Sequence, residues 1–337
     1  MNNCLVSLLG FTLLFVAEYS VGQDSELINI IPDGATLQVL WEEGGFTEGV
    51  AAGPDGLMYF SDFAQPFDAR SARIMKFDPE TGETETHTKD SKMANGLMFD
   101  RQGRLLACCA SPLGGRRALV EVLADGSIKT IVDRFAGNRF NSPNDIVIDR
   151  EGRVYFSDPK YVGPEKMELP SMDVYRLDPD GSLRRATTDI TKPNGVMLSP
   201  DGRTLYVAET DNGTDQAETI TDAEVGRMTL NAFSVMTDGS LGRKRVLVDF
   251  GRQTGIDGMT VDTVGRIYAA VRSAETFGIA IFDPDGKELA RIRTPTLPTN
   301  CCFGREQELQ TLYVTAGGGL YRIRLNTTGH HPALAGG

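Results

Sequence analysis

A short oxygen-bearing side chain recurs six times along this chain, at Glu48, Asn95, Asn144, Asn194, Asp257 and Asn300. Five of the six are followed by Gly or Asp: Glu48-Gly49, Asn95-Gly96, Asn144-Asp145, Asn194-Gly195 and Asp257-Gly258. Eight residues beyond each of these five stands a glycine, at Gly56, Gly103, Gly152, Gly202 and Gly265. The sixth copy has Glu308 at that place and is degenerate. The interval between copies drifts from 43 to 63 residues while the offset of eight does not. A constant offset inside a drifting repeat means one structural slot, used six times.

Each copy continues in the same way. A short apolar run follows the glycine, at 57–60, 104–107, 153–156, 204–207, 266–269 and 311–314. A second run lies at 74–77, 119–122, 174–177, 232–235, 279–282 and 320–323. These runs are rich in β-branched and aromatic residues and bounded by turn residues, so they read as strands. Most of the second runs lead into a Gly-containing turn such as Asp125-Gly126, Asp180-Gly181, Asp238-Gly239 or Asp285-Gly286. Asp-Gly between two strand-like runs is a hairpin signal, because Gly takes a positive φ at no steric cost. The copies therefore predict an all-β fold: a six-bladed β-propeller of four-stranded antiparallel blades. The last copy ends after its third strand. Residues 35–41 precede the first slot and read as the missing strand of blade six, closing the ring and removing an exposed sheet edge.

The expected organisation is a signal peptide at 1–22, a linker at 23–34, the propeller at 35–326 and a tail at 327–337. The apolar run at 5–17 is too short to span a bilayer, and Ser20-Val21-Gly22 offers small residues at a cleavage site. A secreted or periplasmic protein with no membrane attachment after cleavage is the expectation. The extra residues of the longest interval, within 210–224, are polar and acidic. They read as a loop over one face of the ring or a partial lid. A net charge of −12 without a Lys/Arg cluster argues against a nucleic-acid surface. Apart from Cys4, the cysteines form two adjacent pairs, Cys108-Cys109 and Cys301-Cys302. Neighbours on a strand point to opposite faces, so these read as small buried apolar residues rather than disulfides. Asn212-Gly213-Thr214 and Asn326-Thr327-Thr328 match the glycosylation sequon.

All six slot residues present oxygen, and two of them, Glu48 and Asp257, are anionic. Asn or Asp before Gly commonly serves a local turn. Six in register at the start of the innermost strand point instead to a cation site. Hard oxygen ligands with two negative charges suit Ca²⁺ first, then Mg²⁺ or Mn²⁺. The three histidines, His87, His330 and His331, fall in an outer strand and the tail, which argues against a histidine base. Ser61-Asp62 and Ser157-Asp158 form a second repeated pair, read as Asp caps on the loop leaving the second strand.

At 141–159 (NSPNDIVIDREGRVYFSDP), 192–209 (KPNGVMLSPDGRTLYVAE) and 256–270 (IDGMTVDTVGRIYAA), the chain resembles the SMP-30/gluconolactonase family of six-bladed propellers. The likeness covers roughly 35–325. It implies hydrolysis of lactones, notably sugar lactones such as a gluconolactone, at one divalent metal, usually Ca²⁺ or Zn²⁺. It also implies metal ligands at Glu48, Asn144, Asn194 and Asp257, with Asp257 as the base that steers or deprotonates water. Asn95, Asn300 and Asp145 are expected to face the substrate. Ser142-Pro143 precedes the blade-three Asn, as in the bacterial branch, where the animal branch has an Arg. Two other readings share this site: a phosphotriesterase-type hydrolase, and a binding propeller in which the metal only rigidifies the channel.

Overall fold

The computed structural model describes residues 29–63, 72–112, 114–212, 226–251, 255–273 and 276–334. The leader segment, most of the insertion at 210–224 and part of the first sequon lie outside these residues.

Six antiparallel four-stranded sheets form the ring. Blade one comprises Phe46–Ala52, Met58–Phe63, Arg73–Phe77 and Thr84–Thr88. Blade two comprises Ala94–Phe99, Leu105–Cys109, Ala118–Val122 and Ile128–Val132. Blade three runs through Ile146–Ile148, Val154–Ser157, Val174–Leu177 and Leu183–Thr187. Blade four holds Pro193–Leu198, Thr204–Thr210, Met228–Val235 and Leu241–Asp249. Blade five holds Ile256–Val261, Ile267–Val271, Gly278–Phe282 and Glu288–Arg293. Blade six takes Pro298–Phe303, Thr311–Ala316 and Gly319–Arg324 from the end of the chain and Gln38–Trp41 from its start. The only helical element among the described residues is a 3-10 turn, Glu306–Glu308.

The closing strand pairs in the expected place, with Gln38 opposite Arg322, Val39 opposite Tyr321 and Trp41 opposite Leu320. The seam with blade one is held by hydrogen bonds as well. Thr47 N donates to Gly317 O at 2.7 Å, and Thr299 Oγ1 donates to Thr47 O at 2.8 Å. Trp41 lies edge-on to Phe60 with ring centroids 5.3 Å apart. Tying the two parts of the chain through one sheet gives blade six its fourth strand and closes the ring.

Burial falls outward along each blade, and this explains the composition of the strands. Residues of the first two strands are almost all buried, whereas the fourth strands alternate between partly buried and exposed. A blade's inner part is covered on both faces by its neighbours, so its strands read as continuous apolar runs. The core accordingly lies between blades. Val50, Ala52, Met58, Phe60 and Phe77 of blade one pack on Tyr313 and Leu320 of blade six. Ala51 and Tyr59 pack on Leu97, Ala107 and Val120 of blade two.

The turn glycines that define the repeat all have positive φ: +81° at Gly56, +77° at Gly103, +81° at Gly152, +68° at Gly202 and +90° at Gly265. In three copies an Asp closes the same turn. Asp100, Asp149 and Asp262 each accept backbone N–H bonds across it and pair with the Arg four residues on. Cys108, Cys109 and Cys301 are buried free thiols and Cys302 is half-buried.

Candidate functional site

The slot residues sit where the innermost strands break register. The pairing slips between Thr47 and Val50, Ala94 and Leu97, Pro193 and Val196, and Ile256 and Met259. In each case the slip spans the slot residue and the glycine after it. A bulge bends the strand and re-aims a side chain, here toward the ring axis. In blade three the strand begins later, at Ile146, and the slot lies just ahead of it. There Asn144 N donates to Ser157 O at 2.9 Å and Asp145 N donates to Ser157 Oγ at 3.1 Å.

The glycine after the slot has a packing reason. A Cβ on Gly49 would stand 2.3 Å from Asn95 O, one on Gly96 2.7 Å from Asn144 O, and one on Gly195 2.2 Å from Asp257 O. Neighbouring blades approach so closely at this level that the backbone of one slot fills the space of the next residue's side chain. Blade three carries Asp145 instead, and its carboxylate accepts a 2.9 Å hydrogen bond from Val196 N of blade four.

Glu48, Asn95, Asn144, Asn194 and Asp257 line one cavity of about 110 Å³. Ser142, Tyr161 and Arg272 share it, and Phe46, Phe63, Ala110, Pro112 and Val162 make an apolar wall. Glu48, Asn95, Asn194 and Asp257 are buried. Burial raises the Glu48 carboxyl well above the ordinary carboxylate range, and the Asp257 charge adds to this, with Arg272 opposing. Burial also raises Asp257, while Arg272 and the Asn194 amide act against it. Arg272 Nη1 stands 3.2 Å from Asp257 Oδ2. Asn194 Oδ1 and Asp257 Oδ2 are buried oxygens with no hydrogen-bond donor among the described residues. Two buried carboxyls that disfavour each other's charge, beside an amide oxygen with nothing to accept from, fit a cation of the oxygen-loving kind. No three His, Cys, Asp or Glu side chains among the described residues are placed to hold a metal ion by themselves, so such a cation would rest on two carboxylates and neutral amide oxygens.

Two of the expected substrate-facing residues lie elsewhere. Asn300 and Asp145 line a second cavity further along the channel, with Met98, Met197 and Met259. Asn300 Oδ1 accepts from Cys301 N at 2.8 Å, and the nearby Asn300 amide acts to lower the Asp145 carboxyl. Burial pushes Asp145 up to about 7, against the bond from Val196 N. Of the three, Asn95 shares the cavity of the four expected ligands.

Ser61-Asp62 and Ser157-Asp158 have a structural role that differs from the expectation. Asp62 accepts from Gly45 N at 2.9 Å and Phe46 N at 3.3 Å, and Asp158 from Asn141 N at 2.8 Å and Ser142 N at 2.7 Å. Both therefore hold the segment that leads into the innermost strand, not the loop leaving the second one. The reason is topological: the end of the second strand lies beside the start of the first in an antiparallel meander.

Tyr161 and Arg272 were not singled out by the repeat. Arg272 directly follows the buried strand Ile267–Val271 of a blade bearing an anionic slot, and that was the available signal. Tyr161 comes from an irregular connection, and nothing in its sequence marks it. Its hydroxyl donates to Thr210 O at 3.2 Å, Lys192 Nζ stands 5.1 Å from its ring, and burial raises its pKa.

The sequence profile of the SMP-30/Gluconolactonase/LRE-like region matches residues 46–318. The chain is 32% identical to a gluconolactonase from Zymomonas mobilis over 70% of its own length, spanning 64% of that protein. It is 31% identical to the pentonolactonase XacC from Haloferax volcanii, over 75% of this chain and 76% of that one. The solved structure of a gluconolactonase from Xanthomonas campestris superposes with a TM-score of 0.75 at 32% identity, covering 89% of this chain and 93% of that one. The chain thus spans less than two thirds of the Zymomonas protein while covering nearly all of the Xanthomonas structure.

Proposed function

The chain belongs to the SMP-30/gluconolactonase family, and from that premise we propose that it is a metal-dependent hydrolase of lactones, with a sugar lactone of the gluconolactone kind as substrate. The observation that carries the reading is the shared cavity of Glu48, Asn144, Asn194 and Asp257, where two buried oxygens lack a donor. These four residues would hold one divalent cation, Ca²⁺ by the hardness and charge of the set. Bound there, the cation would supply Lewis-acid polarisation of the lactone carbonyl.

The chain's own residues do the rest. Asp257 carries two oxygens, one for the cation and one to orient a water and take its proton. The water oxygen adds to the carbonyl carbon, the ring C–O bond breaks, and the proton passes to the leaving alkoxide, giving the hydroxy acid. Asn144 and Asn194 ligate without adding charge. Asn95 offers an amide to ring hydroxyls at the cavity wall. Tyr161 and the apolar wall of Phe46, Phe63 and Val162 narrow the site and limit water. The leader-like segment at 5–17 supports export to a secreted or periplasmic location.

The test is hydrolysis of a panel of aldonolactones by purified protein, with and without chelator and with Ca²⁺, Zn²⁺, Mg²⁺ or Mn²⁺ restored. Lactone opening that disappears on chelation and returns with one cation is expected. The apolar wall favours a phosphotriester as the second substrate class, so paraoxon belongs in the panel. Turnover of paraoxon but of no lactone would replace the first reading with the second. Cation binding without any turnover would leave a binding propeller.

A further inference from the structure

Arg272 is an unusual neighbour for a cation site. Its guanidinium shares the cavity with Glu48 and Asp257, at a place where like charge would repel a divalent ion. Its contact with Asp257 is close but poorly directed: Nη1 lies 3.2 Å from Oδ2, yet that oxygen has no aligned hydrogen-bond donor. Arg272 Nε is buried and meets no acceptor among the described residues. A buried charged donor left unmet is costly, and no described residue offers an oxygen for it. The side chain lines the cavity and is 26% exposed, so it is not sealed from a ligand entering there.

The charge count of the site gives this arrangement a use. Ionised Glu48 and Asp257 balance a divalent cation, which leaves the cavity neutral without Arg272 and singly positive with it. A singly positive cavity matches the one negative charge that appears on the lactone carbonyl oxygen during attack and remains on the carboxylate of the product. We propose that Arg272 is a substrate-binding residue with two partners: it is the displaceable counter-charge of Asp257, and it donates to the carbonyl oxygen of the lactone as that oxygen becomes anionic. This inference rests on the lactonase reading and adds to it the residue that recognises the developing charge. No bond to Arg272 forms or breaks. Its guanidinium only exchanges one acceptor for another, which the weakly directed pair with Asp257 permits.

Two readouts of opposite sign separate this role from a structural one. In Arg272→Met, the loss of a competing cation should tighten Ca²⁺ binding by about threefold to tenfold, measured by calorimetry without substrate. The same variant should lose roughly 10- to 100-fold in kcat/KM on an aldonolactone, the range of a charge-assisted hydrogen bond, and should bind the product hydroxy acid more weakly. Arg272→Lys keeps the charge without the planar fork, so its Ca²⁺ affinity should stay near wild type while hydrolysis recovers only in part. Weaker Ca²⁺ binding in Arg272→Met would mean that Arg272 holds Asp257 in place, and would overturn the proposal. Unchanged kcat/KM in that variant would overturn it equally. A wild type that binds Ca²⁺ and opens no lactone would instead defeat the functional reading on which the proposal stands, a failure seen before any variant is made.

Discussion

The two ends of the channel are built by the same innermost strands and differ in almost everything else. At the end where these strands begin, Glu48, Asn95, Asn194 and Asp257 sit in bulges, and buried oxygens lack donors. A few residues further along the same strands, Val50, Ala52, Met98, Met197 and Met259 line a second cavity. That cavity is covered by the C-terminal segment: His330 N donates to Val261 O at 3.0 Å, His331 Nε2 lies 3.0 Å from Gly304 O, and Ala333 is buried. A strand can serve both ends because the bulge separates a stretch that aims polar side chains at the axis from a stretch in regular register that packs. The comparison teaches that the two ends differ in kind: slot side chains are aimed into an open cavity at one, and a C-terminal segment caps a methionine-lined cavity at the other. Changes at the first should alter chemistry, and changes at the second should alter stability.

The strongest test of that division is Asp257→Asn. The variant should fold and retain some Ca²⁺ affinity, yet lose at least about 10²–10⁴-fold in lactone hydrolysis, the range that general-base catalysis contributes. Restoration to near wild-type rate by excess Ca²⁺ would reduce Asp257 to a ligand and move the base elsewhere. Glu48→Gln should behave differently. Its Ca²⁺ dissociation constant should rise by roughly tenfold or more, with activity partly recovered on Ca²⁺ titration, because a ligand charge is lost and the base is kept. Equal behaviour of the two variants would erase the distinction between their roles.

Two glycines probe the boundary between the ends. A Cβ at Gly195 meets the backbone oxygen of Asp257 at 2.2 Å, whereas one at Gly258 meets the side chain of Asn300 at 2.2 Å. Backbone cannot yield as a side chain can, so Gly195→Ala should destabilise by about 1–3 kcal/mol and displace Asp257. Gly258→Ala should cost less and leave hydrolysis closer to wild type. Thermal melts and kcat/KM of both variants check the order.

The smallest effect belongs to the capped end. Burial, with the charges of His331 and Arg150 adding to it, pushes His330 down to about 4, and its Nε2 has no partner among the described residues. The unfolded segment would take up a proton near the ordinary histidine value of about 6.5 while the docked one would not. The resulting stability is fully present above that value and is lost as pH falls toward 4. Asp145 faces the same cavity with the opposite sign: its raised carboxyl favours the protonated fold, so acidification relieves it. The protection factor against hydrogen exchange at 329–334, which divides out the intrinsic slowing of exchange in acid, should therefore fall between pH 7 and pH 5 in wild type and much less in His330→Phe, with lactone hydrolysis per folded molecule following the cavity of Glu48 and Asp257 instead.

Much of this molecule was legible because its repeat is carried by backbone requirements. A positive φ at Gly56, Gly103, Gly152, Gly202 and Gly265, and a slot eight residues earlier, are demands that only certain residue types meet, so they survive as a countable pattern. The six blades and the closing strand at Gln38–Trp41 follow from that pattern. The place of Asn300 did not follow. It occupies the same sequence slot as Asn95, yet its side chain lies against Gly258, accepts from Cys301 N and lines the other cavity. Arg272 and Tyr161 reach the cavity of Glu48 and Asp257 from a strand end and an irregular connection, and the caps of Asp62 and Asp158 act on the segment before the first strand rather than after the second. The sequence by itself determined the number of blades, the closure and the oxygen character of the slots, since these depend on local backbone geometry and periodic burial. Only the tertiary structure decided which side chains share a compartment, because that depends on how closely neighbouring blades approach, and the spacing of residues along one chain carries no record of that distance.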